Sequence, residues 1–191
     1  MANNTIIKEI IDFYLKTSTD EGANKFPSEI EPEMADHNQD PSEEWRNWFP
    51  IDSTVTDSDI KSLENQIGYH LPEDYKTFLK HKHYYELYIS EASFCRHPIN
   101  KWAKHLHEMI FEGWPTEEII DRGFIPFADW SDWGLLCFDA NRNLGNNDYP
   151  IVLWDHDRSD EIKDVADNFM ELLIKLDKEN KQMWLNNEKV P

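Results

Sequence analysis

The passage from Thr56 to Leu79 restricts the possible fold more than any other part of the chain. Thr56 is a suitable N-cap, and the acidic residues that follow it complement the exposed amides at a helix start. Gly68 comes directly after the last apolar residue of this helix, where a left-handed backbone ends helices well. Pro72 then opens a second helix at a position that needs no amide donor. The passage therefore predicts two short helices joined by a tight turn.

Three extended segments in the second half of the chain predict a meander of antiparallel strands. They are GFIPFAD from Gly123, WGLLCFDA from Trp133 and YPIVLWD from Tyr149, and turn-rich pieces separate them. A further strand is expected at residues 84–89, and helical spacing of apolar residues predicts a helix over 102–114. Strands and helices in this arrangement indicate an α+β fold.

Both ends of the chain show helical patterns. At the N-terminus, the apolar residues of MANNTIIKEIIDFYLK recur at helical spacing, which indicates an amphipathic helix rather than a signal peptide. Near the C-terminus, a helix is expected to begin close to Asp160 and to pack on the sheet. Its apolar face would contain Ile162, Val165, Phe169, Leu172, Leu173 and Leu176.

The length of the chain, 191 residues, suits one domain with an extension. Residues 17–44 are acidic and are interrupted by prolines, so residues 1–44 are predicted to be a helix followed by a connector. Residues 45–176 would form the α+β domain, and residues 177–191 a C-terminal tail. The segment WRNWFP, residues 45–50, either enters the core or acts as a short docking segment, and entry into the core is favoured because exposed Trp is uncommon.

The net charge, the apolar runs and the cysteines of the chain bear on its partners and its compartment. A net charge of -19 repels a phosphate backbone, so we expect no nucleic-acid partner. No apolar run is long enough to cross a bilayer, and we expect no membrane partner. Cys95 and Cys137 form neither a CxxC pair nor a disulfide framework, which favours a reducing cytoplasm. The charge either serves solubility or steers a basic partner toward the protein.

Two sequence patterns, paired histidines and aspartates at strand ends, allow an enzymatic interpretation and a simpler one. Two histidines spaced two residues apart can bind one metal ion if they lie on a strand, but on a helix they point in different directions. Aspartates at strand ends could form a catalytic carboxylate pair. Aspartate is also a preferred turn residue, which explains its presence there without catalysis. The histidines are His81, His83, His105, His107 and His156, and the aspartates are Asp129, Asp132, Asp139, Asp155 and Asp157. The chain contains no nucleophile motif and no glycine-rich phosphate loop. We therefore predict no catalytic residue, no metal and no cofactor.

Taken in order, these segments resemble the SUKH superfamily, which includes fungal regulators of cell-wall assembly and killer-toxin resistance and many bacterial toxin-immunity proteins. The segments that carry the resemblance are Ile60, Leu63, Glu64 and Ile67 in the first helix, GYHLPEDYKTFL, FIPFAD, GLLCFD, YPIVLWDHD and VADNFMELL. Together they span about residues 56–176. The resemblance implies a mixed, largely antiparallel sheet flanked by helices, and a role in binding proteins rather than in catalysis.

The leading functional hypothesis is an immunity-type protein that neutralises a toxin domain, with a basic, nuclease-type toxin as the partner. A regulatory or scaffold role in cell-wall or glucan synthesis is the alternative, and a carboxylate- or metal-dependent enzyme is a third. Aromatic residues beside carboxylates are suitable interface anchors. The candidate partner-binding residues are Asp129, Trp130, Asp132 and Trp133; Asp155, His156 and Asp157; and Trp45 and Trp48.

Overall fold

The computed structural model describes residues 2–40, 42–145, 147–158 and 161–187. In these residues the α-helices are α1 (Ala2–Asp20), α2 (Asp57–Ile67), α3 (Glu73–Leu79), α4 (Trp102–Phe111) and α5 (Phe169–Asn187). The strands are β1 (Lys25–Phe26), β2 (Arg46–Asn47), β3 (Ile51–Asp52), β4 (Lys82–His83), β5 (Tyr88–Ile89), β6 (Ala92–Phe94), β7 (Phe124–Trp130), β8 (Gly134–Asp139), β9 (Ile151–Asp155) and β10 (Ile162–Ala166).

Strands β5 to β10 of the described chain form one six-stranded sheet in the order β10-β9-β8-β7-β6-β5. Every neighbouring pair in this sheet is antiparallel. Two short ribbons, β1 with β2 and β3 with β4, pair separately. The predicted α+β fold is confirmed, and the three extended segments form the meander of β7, β8 and β9.

Strand β8 is buried along its whole length because both faces of the sheet are covered. Successive side chains of a strand point to opposite faces. Leu136 and Phe138 accordingly enter the larger core, whereas Leu135 and Cys137 enter a smaller apolar cluster. In the larger core, the ring centroids of Phe138 and Phe127 lie 4.4 Å apart. Strand β8 is therefore a buried layer between two apolar clusters.

The predicted helical pair is α2 and α3, and α2 has the predicted caps. The Asp59 amide donates to Thr56 Oγ1, and the Asp59 carboxylate accepts from the Thr56 amide, which is a capping box. Gly68 ends α2 in the left-handed region, with φ of 78°. A glycine adopts this conformation without the steric cost that a Cβ atom brings.

Glu64 links the two helices of this pair. Its buried carboxylate accepts hydrogen bonds from the Leu71 amide at 2.8 Å and from Lys76 Nζ at 2.9 Å. Burial acts to raise the pKa of this carboxyl, but the hydrogen bonds from Leu71, Lys76 and His70 outweigh it and hold the pKa below its usual range. The charged form of Glu64 therefore stabilises the turn between α2 and α3.

Helix α1 packs against α3 and α5, and its apolar face joins the larger core through Ile7, Ile11 and Leu15. The acidic segment after it is tied to the fold by the β1–β2 ribbon and by buried Met34. The domain boundaries predicted at residues 44 and 176 concern which segments fold as separate units, and they stay predictions. In the structure, α1 shares the main core, and α5 continues past position 176 to Asn187.

The prediction for the C-terminal helix was wrong at its start. Residues Ile162–Ala166 form β10, which pairs with β9, and the helix begins only at Phe169. Asp160, the predicted start, lies outside the described residues. The spacing of Ile162 and Val165 is compatible with a helix, but pairing with the free edge of β9 determines the structure. Asn168 Oδ1 accepts from the Glu171 amide and caps the true start.

The single strand predicted at residues 84–89 is instead an interrupted segment. Strand β4 ends at His83, β5 begins at Tyr88, and Tyr84 between them forms an isolated bridge with His97. Tyr84, Tyr85 and Leu87 are all buried, so this segment does not alternate between core and solvent as an ordinary half-buried strand does. The helix predicted over 102–114 is present as α4, which ends earlier, at Phe111.

Candidate functional site

A tight turn joins β7 to β8 and places two tryptophans at the end of the sheet. Ser131 lies in the left-handed region with φ of 48°, and the Trp133 amide donates to the Trp130 carbonyl oxygen at 3.0 Å. The Ser131 amide donates to the carbonyl oxygen of Glu91, in the neighbouring turn, at 2.9 Å. Backbone hydrogen bonds therefore hold both tryptophans in defined positions.

The end of β9 lies directly beside this turn. Asp155 pairs with Gly134 in the ladder between β8 and β9. The backbone amide and Nδ1 of His156 lie 3.2 and 3.0 Å from the Trp133 carbonyl oxygen. The two groups of candidate residues that the sequence placed after separate strands thus meet at one end of the sheet.

Gly134 allows this close approach of β8 and β9. A Cβ atom at this position would lie 1.9 Å from the carbonyl oxygen of Trp154, a separation that two non-bonded heavy atoms do not adopt. Glycine is required where backbones approach so closely. The position of Trp133 beside His156 therefore depends on a residue without a side chain.

We call the resulting area the hairpin-tip surface. Its residues are Trp130, Asp132, Trp133, Asp155, His156 and Asp157. Trp133 is 58% exposed. So large an aromatic side chain is usually buried for the most part. Tryptophan on a fixed backbone anchors protein interfaces well, because it buries a large area and loses little conformational freedom.

A cleft of about 400 Å³ lies on one side of the hairpin-tip surface. Its lining includes Trp130, Trp133, Leu153, Asp155, Arg158 and Lys163. Asp155 is partly neutralised there, because Lys163 Nζ lies 3.6 Å from its carboxylate and the Asp157 amide donates to it at 3.0 Å. The cleft has aromatic walls and carries charges of both signs. Charged side chains around an aromatic centre are typical of protein interfaces, which have a polar rim.

Asp129 points to the other side of the tip and lines a separate groove of about 370 Å³. We call this the Asp129 groove, and its lining includes Glu108, Met109, Glu112, Trp114, Asp129 and Leu135. Crowding by protein atoms raises the pKa of the Asp129 carboxyl above its usual range, and the positive charge of Arg96 offsets this only in part. Asp129 therefore belongs to the same end of the sheet but not to the same concave surface.

Comparison with known proteins identifies the family. The model of the SMI1/KNR4 family (SUKH-1) matches residues 54–175 of the chain. This chain belongs to the SMI1/KNR4 family. A curated relative, the uncharacterized protein YokK derived from the SPbeta prophage of Bacillus subtilis (strain 168), is 29% identical over 153 residues. Those residues cover 65% of this chain and 76% of YokK.

The part that matches the SMI1/KNR4 family begins just before α2 and ends within α5, so it contains the whole six-stranded sheet and the hairpin-tip surface. Helix α1 and strands β1 to β3 precede it. No helix in the described parts of this family member is both long and apolar enough to cross a membrane.

The third candidate pair, Trp45 and Trp48, lies beside the β1–β2 ribbon and outside the hairpin-tip surface. Trp48 is 0% exposed and its ring packs against Tyr85 at 6.1 Å, so this side chain belongs to the core and cannot contact a partner of the folded protein. Trp45 is 51% exposed. Of the two interpretations of WRNWFP, entry into the core holds for Trp48 alone.

Several histidines of this SMI1/KNR4-family chain have partners within the fold. His81 Nε2 lies 2.8 Å from the Asp12 carboxylate, His83 is buried against His97, and His105 Nδ1 lies 3.2 Å from Glu108. Among the described residues, no three His, Cys, Asp or Glu side chains are arranged to hold a metal ion. Their spacing in the sequence does not translate into a shared site.

One strand-end aspartate has turn partners, and both cysteine thiols are protonated. Asp139 accepts from the Asn141 amide and from Arg142, which is the turn-forming behaviour expected of aspartate. Burial raises the pKa of Cys95 to about 12 and that of Cys137 further, so neither is a thiolate at neutral pH.

Sequence reasoning did not identify Met109, Glu112 or Trp114 as members of a site. They lie near or just beyond the end of α4, well before the start of β7 in the sequence, and only the packing of α4 against β7 brings them to Asp129. The one available signal was Trp114 itself, a large aromatic directly after a glycine at a helix end.

Proposed function

We propose that this chain is a non-catalytic, immunity-type protein that binds and neutralises a toxin domain. The observation that carries the proposal is the hairpin-tip surface, where backbone hydrogen bonds hold the exposed Trp133 between carboxylates and beside a cleft. Membership of the SMI1/KNR4 family supports a role in protein interaction, since its members are generally non-enzymatic. An exposed aromatic anchor of this kind is typical of an interface hot spot.

Charge supports a basic partner. The net charge of -19 creates a negative field over the whole molecule. Such a field steers a positively charged protein toward it and accelerates association. The surface of a nuclease-type toxin that binds nucleic acid is basic, since it must neutralise phosphates. An acidic protein that covers this surface would block access of the nucleic acid.

Co-expression tests this proposal. The genes that neighbour the gene of this chain are first screened for a product that inhibits growth. The chain is then expressed in bacterial cells together with that toxin, and colony survival is compared with cells that carry the toxin alone. Survival restored by the wild-type chain is the expected result. Equal killing with and without the chain, at equal toxin levels, contradicts the proposal and favours the regulatory alternative, in which the partner is a protein of the cell envelope or of glucan synthesis.

A further inference from the structure

The Asp129 groove is part of a longer depression on this face of the protein. Met109 and Asp129 line it and also line a neighbouring cavity of about 230 Å³ that includes Tyr88, Cys95 and Arg96. Asp129 therefore lies where the two concave surfaces meet. Arg96 lines the neighbouring cavity, whereas the lining of the Asp129 groove contains no lysine or arginine.

The carboxylates of the groove are incompletely neutralised. Among the described residues, no cation lies within ion-pair distance of Asp129 or Glu112, whereas Glu108 pairs with Lys104 at 3.2 Å. The Arg96 guanidinium instead lies over the Phe26 ring, 4.6 Å from its centroid. The groove thus presents two carboxylates without an ion-pair partner among the described residues, and the charge of Arg96 acts on Asp129 only from beyond ion-pair distance.

Apolar side chains form the walls between these carboxylates. Met109 contributes aliphatic surface and Trp114 an indole ring, and buried Leu135 lies beneath them. The Trp114 ring is held in place by Trp154, with centroids 5.1 Å apart, and by a stacked His156 ring at 5.4 Å. A fixed aromatic face near carboxylates attracts a cation through the ring quadrupole as well as through charge.

We infer that the Asp129 groove receives a lysine or arginine side chain of the protein partner. The aliphatic stem of that side chain packs against Met109 and Trp114, and its cationic head binds the carboxylates of Asp129 and Glu112. Long basic side chains combine an apolar stem with a charged head in this manner. The inference rests on the proposed function, because it names the chemistry that one part of the interface recognises.

The electrostatic state of Asp129 agrees with such a role. Its pKa is raised because protein atoms replace part of its water, which disfavours the charged form in the free protein. A cation bound beside it favours the charged form and removes that penalty. Residues that bind a partner commonly retain an arrangement that is unfavourable in the free protein.

An arginine peptide serves as a probe that does not depend on an identified toxin. Acetyl-Gly-Arg-Gly-amide is titrated into the isotope-labelled chain, and the shifts of the Asp129 amide and of the Trp114 indole signal are followed by NMR. The same peptide with neutral citrulline in place of arginine is the ligand control. Asp129→Asn tests the site, and Glu9→Gln on α1 is a charge-matched protein control, because Glu9 is exposed on a helix that packs against α3 and α5.

The expected result is saturable shifts at Asp129 and Trp114 with arginine and not with citrulline. The dissociation constant should rise about fivefold to tenfold in Asp129→Asn and stay unchanged in Glu9→Gln. Equal constants in wild type and Asp129→Asn, shifts confined to other surfaces, or no binding by wild type would overturn the inference. The amide spectrum of each variant verifies that it is folded.

Failure of this inference is distinguishable from failure of the proposed function. If the wild-type chain protects cells from the toxin but the arginine peptide does not bind at Asp129, the immunity role stands and the partner's basic side chain lies elsewhere. If the peptide binds at Asp129 but the chain gives no protection, the groove recognises basic side chains of a protein other than that toxin.

Discussion

The imidazole rings of His83 and His97 face each other inside the protein, with their Nδ1 atoms 3.0 Å apart. The Thr54 amide donates to His83 Nε2 at 2.9 Å, so His83 Nδ1 carries the proton and can donate to the His97 carbonyl oxygen at 3.0 Å. His97 Nε2 is buried and has no hydrogen-bond partner among the described residues. Both rings are therefore neutral in the folded protein.

This pair predicts that the protein loses stability in mild acid. Burial, together with the neighbouring His83, lowers the pKa of His97 to about 3, and burial also lowers the pKa of His83. The unfolded chain takes up protons below about pH 6.5, and the folded chain does not. The stabilisation is thus complete above pH 6.5 and is lost as the pH falls toward 3. Between pH 7.5 and 5.0, His97 alone should reduce the free energy of unfolding by about 2 kcal/mol.

Urea denaturation at pH 7.5 and 5.0 measures this effect. His97→Phe keeps an aromatic ring beside Tyr84 and Trp102 but cannot titrate, so the pH-dependent loss should shrink by about 2 kcal/mol. His37→Asn, at an exposed position, is the control and should leave the loss unchanged. An undiminished loss in His97→Phe would show that other groups cause the acid sensitivity.

Glu64 should be the most important carboxylate for the helical pair. Glu64→Ala removes the acceptor of the Leu71 amide and one partner of Lys76, and we expect it to lower the free energy of unfolding by about 2 kcal/mol. Glu73 also binds Lys76 but is exposed, so Glu73→Ala should cost less than about 0.5 kcal/mol. Because the pKa of Glu64 is lowered, its contribution is present above its unfolded pKa and disappears at lower pH. Chemical denaturation of both variants at pH 7 provides the test, and equal losses would contradict it.

Gly134 should be intolerant of even the smallest side chain. Gly134→Ala forces a methyl group into the Trp154 carbonyl oxygen, and we expect a loss of about 3 kcal/mol or a shift of β8 against β9. Gly68→Ala is the matched control, because its Cβ atom would meet no atom within 4 Å and only the left-handed backbone is strained. It should cost about 1 kcal/mol. Thermal denaturation ranks the two variants, and a milder effect at position 134 would contradict the close approach.

Local signals made much of the fold predictable. The caps of α2, the proline before α3 and the apolar strands β7 to β9 all specify their structure through neighbouring residues. Strand β10 was mistaken for helix because its apolar spacing permits both structures, and only the unpaired edge of β9 decides between them. Such a pairing depends on distant chain segments, which sequence periodicity does not reveal.

The candidate site was predictable where it follows from strand ends. Trp133 and His156 were identified because each comes directly after or before an apolar strand, and antiparallel pairing then brings them together. The Asp129 groove was not predicted, because Glu112 and Trp114 reach it only through the packing of α4 against β7. The sequence left open whether Trp48 enters the core or contacts a partner, because its burial depends on the tertiary structure.

The central claim is tested most directly by searching the genes that neighbour the gene of this chain for a toxin and measuring, by titration calorimetry, binding of the purified chain to that toxin domain. Trp133→Ala should weaken binding at least about tenfold and leave the melting temperature almost unchanged, because the side chain is exposed. Leu144→Ala, which removes a similarly exposed apolar side chain at the opposite end of β8, should leave the affinity unchanged. Absence of binding by the wild-type chain, or equal affinities of wild type and Trp133→Ala, would contradict the account.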